Sequence, residues 1–88
     1  MDLLEKRELI NKVDAKMKAL FLERMDIVKD IALYKKENGM AIFDEKREAE
    51  MKKRLTQDLE EPLRSLYLAF LETTVDVSKK YQALKIDE

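Results

Sequence analysis

The sequence predicts an all-α protein in which one long helix is followed by two shorter ones. Three observations carry this expectation. The first 38 residues contain neither Gly nor Pro, and the whole chain has one of each. Leu, Met, Lys, Glu and Ala dominate, all good helix formers. Apolar residues recur along that first stretch at spacings of three and four or their sums: Leu3, Ile10, Val13, Met17, Leu20, Ile27, Ile31 and Tyr34. That is a heptad pattern, and nowhere does an alternating β-branched run of strand length compete with it.

The first helix is expected from about Asp2 to Asn38. Gly39 suits the left-handed residue that closes many helices, and Lys35 and Lys36 fall in the last turn, where the helix dipole favours cations. A rod of this length measures about 54 Å, whereas a compact globule of 88 residues has a radius of gyration of only about 12 Å. The other 50 or so residues cannot cover such a rod, so a second copy of the chain is expected along the seam. The link Met40-Ala41-Ile42-Phe43 is mostly apolar and is expected to tuck against the helices. Asp44 is a good N-cap for the second helix, although Arg47 stands where a capping box would place Glu or Gln. The second helix is expected from Glu45 to Leu59, with Glu48, Met51, Leu55 and Leu59 on its inward stripe. Pro62 fits the first turn of a third helix, which carries Leu63, Leu66, Tyr67, Phe70, Leu71, Thr74, Val77, Ser78 and Tyr81 on one side. Beyond Leu84 the tail Lys85-Ile86-Asp87-Glu88 is expected to fray. Residues 1–88 read as a single domain.

Composition excludes several function classes. Eighteen basic and nineteen acidic residues, well interspersed, give a net charge of −1, without the basic stripe of a nucleic-acid binder. No apolar run approaches the roughly 20 residues of a membrane span, and the N-terminus lacks the basic-then-apolar order of a signal peptide. With no Cys and no His, the usual zinc and nucleophile constellations are missing. The expectation is a cytoplasmic, metal-free protein.

Arg24 interrupts the apolar seam, one heptad from both Met17 and Ile31. A polar seam residue can fix register and oligomeric state; alternatively, a buried guanidinium needs an anionic partner, and a negatively charged ligand would serve. Lys35 follows eleven residues later, three turns plus about 20°, on nearly the same face and about 16 Å along the axis. The two could bracket a small anion, or Lys35 could simply decorate the last turn. Arg7 lies about 26 Å down the rod from Arg24 and cannot join it within one helix. In two long helices crossing antiparallel near Met17, Arg7 of one would reach the stretch between Arg24 and Lys35 of the other. Asp44, Arg47 and Glu48 from the second helix and Ser78 and Gln82 from the third could each be an N-cap, a salt-bridge partner or solvated surface. Together they could line a polar pocket of cations, one carboxyl and two neutral hydrogen-bonders. No nucleophile–base pair is evident, so the set suits recognition or electrostatic stabilisation of a small anion rather than covalent catalysis.

These residues resemble the all-helical class of chorismate mutases over nearly the whole chain. The likeness rests on Arg7-Glu8-x-Ile10-x-x-x-Asp14, Glu23-Arg24, Lys35, Asp44-x-x-Arg47-Glu48 and Ser78-Lys79-Lys80-Tyr81-Gln82. Ser78 with Gln82 fits the family's Ser-x-x-x-Gln signature, and Thr74 with Ser78 is a rival register one turn earlier. The resemblance implies an intertwined homodimer that converts chorismate to prephenate, on the route to phenylalanine and tyrosine, without a cofactor. It implies that Arg24 and the partner's Arg7 bind the two carboxylates, that Lys35 and Gln82 donate to the ether oxygen, and that Glu48, helped by the backbone near Asp44, binds the ring hydroxyl. Arg47 and Ser78 would complete contacts to the ring carboxylate. An isochorismate-pyruvate lyase of the same fold is the nearest alternative, and Glu48 favours the mutase. A non-catalytic helical dimerisation module is the other; it explains the heptads but not the placement of the polar set. A mutase domain of a larger bifunctional protein is a third. The chain length leaves no room for an amino-acid-binding regulatory domain, so feedback inhibition is expected to need a partner.

Overall fold

The computed structural model describes residues 1–87, and all of their regular structure is helical: α1 (Leu3–Glu37), α2 (Glu45–Thr56) and α3 (Leu63–Ile86). α1 begins at Asp2, whose side chain accepts from the Glu5 amide at 2.9 Å, satisfying one of the donors that a helix start leaves unpaired. At its other end the Met40 amide donates to the Lys35 carbonyl (2.8 Å) and the Gly39 amide to the Lys36 carbonyl (3.4 Å). This is the paired closure that requires a left-handed residue at the turn, and Gly39 supplies it with φ +61°. A Cβ at Gly39 would meet no atom within 4 Å, so backbone strain alone opposes a side chain there. Gly39→Ala is expected to cost about 1 kcal/mol, lowering the midpoint of a circular-dichroism melt by about 4–8 °C.

The three helices make an elongated body, 54 × 27 × 14 Å, with a radius of gyration of 16.2 Å. α3 packs against both α1 and α2. Its inner strip Leu71, Val75, Ser78 and Gln82 faces Met25, Val28 and Ala32 of α1. Among the described residues these few are the buried set, and Ala32 is fully enclosed. Most of the seam has no cover: Met17 is 45% exposed and Leu20 62%. The accessible surface, 7290 Å², well exceeds the roughly 5400 Å² of a compact monomer of this mass.

Several elements differ from the sequence reading. α2 stops at Thr56 rather than Leu59 because the guanidinium of Arg64, from α3, donates to the carbonyls of Thr56 (3.2 Å) and Gln57 (3.3 Å). Pro62 occupies the N-cap position, one residue outside α3. α3 divides its apolar residues between two faces: Leu71 belongs to the inner strip, while Leu63, Leu66 and Phe70 remain exposed, and Val75 takes an inner place the sequence reading did not give it. In the link only Ile42 is half-buried; Met40 and Phe43 are exposed. Helix continues past Leu84 to Ile86, with the Asp87 amide bonded to the Ala83 carbonyl at 3.2 Å. Glu88, also expected to fray, lies outside the described residues. No helix among the described residues is long and apolar enough to cross a membrane.

Candidate active site

Where α1, α2 and α3 converge they enclose a cavity of about 230 Å³. Seven of the eight residues singled out in the sequence line it: Arg24 and Lys35 from α1, Asp44, Arg47 and Glu48 from the start of α2, and Ser78 and Gln82 from α3. Val28, Ile31, Ile42, Met51 and Val75 supply its apolar wall. The long helix sets the spacing of Arg24 and Lys35. The closure at Gly39 then turns the chain so that Ile42 and Asp44 come back over Lys35.

Each polar group is held by a neighbour. Arg24 Nη1 donates to Ser78 Oγ, which in turn donates to the Thr74 carbonyl at 2.9 Å. Lys35 Nζ donates to the Ile42 carbonyl at 2.8 Å and to Gln82 Oε1 at 3.1 Å. Ser78 and Gln82 are buried, and burying such neutral groups is tolerated because each has a cationic donor. Thr74, the rival position, donates to the Phe70 carbonyl of its own helix at 2.9 Å and does not line this cavity. Asp44 Oδ1 caps α2 by accepting from the Arg47 amide at 3.0 Å. The Arg47 side chain reaches Glu50 at 3.5 Å and is largely exposed.

Glu48 is the exception to this pairing. Its Oε1 lies 3.4 Å from Lys79 Nζ, while Oε2 is buried without a hydrogen-bond partner among the described residues. A buried acceptor left unpaired costs about 1–3 kcal/mol, and this oxygen is open to a donor placed in the cavity. Lys79 is a charged lining residue that the sequence reading did not single out. Its signal was present: it lies next to Ser78 and one turn before Gln82, so it borders the same strip. Arg24, Lys35, Arg47 and Lys79 against Asp44 and Glu48 leave the wall with a surplus of two positive charges. Arg7 is not brought here by its own chain. It sits about 26 Å down α1 from Arg24, exposed and without an ion pair or hydrogen bond among the described residues.

The cationic wall, the neutral hydrogen-bonding pair and the one unpartnered carboxylate oxygen make a cavity chemically suited to a small anion. No cluster of three or more acidic, His or Cys residues able to hold a metal ion occurs among the described residues. The sequence profile of chorismate mutase type II matches residues 6–83, and the chain belongs to that family. No curated protein and no solved structure matches it.

Proposed function

We propose that residues 1–88 form one chorismate mutase domain that rearranges chorismate to prephenate in the synthesis of phenylalanine and tyrosine. The observation that carries this reading is the cavity at the three-helix junction, where Arg24, Lys35, Glu48, Ser78 and Gln82 converge. The reaction is an intramolecular Claisen rearrangement: the ether C–O bond breaks as a C–C bond forms, and nothing is added or lost. Catalysis then consists of holding a flexible dianion in a chair-like conformer and stabilising negative charge on the ether oxygen. Arg24 binds one carboxylate through its planar guanidinium fork. Lys35 Nζ and the amide N–H groups of Gln82, whose oxygen is already engaged by Lys35, donate to the ether oxygen. Glu48 Oε2 accepts from the ring hydroxyl beside the Asp44 backbone, and Arg47 and Ser78 complete the ring-carboxylate contacts.

The catalyst in this proposal is an intertwined homodimer. Support comes from the uncovered seam and from the excess surface, both of which a second α1 would bury. A two-fold crossing near Met17 gives each dimer two equal sites, with Arg7 of one chain entering the pocket of the other and binding the second carboxylate.

The test is the ultraviolet absorbance of chorismate, followed with purified protein in the presence of a chelator. Turnover at micromolar protein is expected, and its absence sinks the proposal. Release of pyruvate from isochorismate, with chorismate untouched, would move the assignment to the lyase.

A further inference from the structure

Lys79 is held from three directions. Its ammonium lies 3.4 Å from Glu48 Oε1, 3.8 Å from Asp76 Oδ1 one turn earlier on α3, and 4.5 Å from the centroid of the Phe43 ring in the link. The pairs Lys29–Asp26, Arg47–Glu50 and Arg54–Glu50 each join residues one turn apart on one helix, whereas Lys79–Glu48 ties α3 to α2. Pairs between exposed side chains contribute little. Here, however, the Glu48 side chain is only 15% exposed, and the ammonium is steadied by an aromatic face as well as by two carboxylates.

A carboxylate beside a cavity that accepts a dianion faces two difficulties. Repulsion from the ligand opposes its charge, and rotation about its terminal bond can present either oxygen. A fixed ammonium on Oε1 answers both: it offsets the repulsion and leaves Oε2 as the free acceptor. We infer that Lys79 is a positioning residue, which anchors Glu48 so that Oε2 reads the ring hydroxyl of the substrate and thereby sets the preference of the site for a hydroxylated ring. The inference rests on the chorismate reading and adds to it a residue that the reading does not use.

The experiment compares chorismate with its analogue carrying hydrogen in place of the ring hydroxyl, in Lys79→Met, Lys79→Arg and Glu48→Gln proteins and the unaltered chain. For chorismate, Lys79→Met is expected to lower kcat/KM about tenfold, a moderate effect for members of one hydrogen-bonded network. For the analogue a smaller loss, about threefold, is expected, because the unoffset repulsion from Glu48 acts on both ligands while the hydroxyl that Oε2 reads is missing from this one. Lys79→Arg recovers most of the chorismate activity, and adding Lys79→Met to Glu48→Gln brings no further loss. Equal losses on both substrates, or a full further loss in the Glu48→Gln background, would overturn the inference and make the lysine a tie between helices. Should Lys79→Met lose its helical circular-dichroism signal, Lys79→Gln is read by the same criteria. Absence of chorismate turnover by the unaltered chain is a separate outcome, which removes the proposed reaction and this inference with it.

Discussion

Lys35→Ala is expected to lower kcat for chorismate by about 10²–10³, the usual loss when one donor to a developing oxyanion is removed. The ammonium sits on the cavity wall, bonded to the Ile42 carbonyl and Gln82 Oε1, and both contacts hold it in place without neutralising it. In the proposed reaction charge grows on the ether oxygen only as the bond breaks, so the lysine would contribute more to the transition state than to ground-state binding. KM should therefore change much less than kcat. Stability should fall modestly, because truncation leaves the Ile42 carbonyl short of a donor at a cost of about 1–3 kcal/mol. Stopped assays alongside thermal melts separate the two roles. A chain that melts far lower yet keeps kcat within a few-fold would make Lys35 a strut for the link.

Mixing two inactive proteins should restore activity. Arg7→Ala and Lys35→Ala homodimers are each expected to be impaired at both sites. Unfolded together and refolded at equal concentration, half of the dimers are statistically mixed, and one of the two sites in each mixed dimer carries neither substitution. About a quarter of the unaltered activity should return, a rise of 25-fold or more over parents impaired by about 10². The prediction depends on the crossing geometry, because a pocket that used its own chain's Arg7 would leave every site damaged. Mixed dimers isolated with two affinity tags and found inactive would show that Arg7 does not act across the interface.

The sequence was most legible wherever a relationship stayed within one helix. Arg24 and Lys35 share a cavity because 100° per residue fixes their relative direction whatever packs beside them. The Asp44 cap and the turn at Gly39 were legible for a similar reason, since both are solved locally by their own backbone chemistry. What could not be read depended on residues distant in sequence. Leu59 continues the spacing of α2, but the helix ends where Arg64 competes for its last carbonyls. The inward residues of α3 look like a single stripe until packing against α1 keeps Leu71 and Ser78 from it and adds Val75 and Gln82. The choice of Ser78 and Gln82 over Thr74 as cavity-lining residues is made by Arg24 and Lys35, which reach them across the interface between helices. Lys79 was passed over because its worth depends on Glu48 and Phe43, each more than 30 residues away in the chain.

The closure of α1 has a further consequence. Lys35 is gripped at both ends: its carbonyl accepts from the Met40 amide, and its ammonium donates to the Ile42 carbonyl two residues further along. The first turn of chain beyond the helix is thus folded around this one side chain like a clasp. A lysine in water must reorient its surroundings as charge shifts nearby, and that reorientation adds to the barrier. One clasped by its own backbone has its dipoles set when the chain folds, long before a substrate arrives. If Lys35 acts as proposed, its readiness for that charge is set in advance by a helix ending.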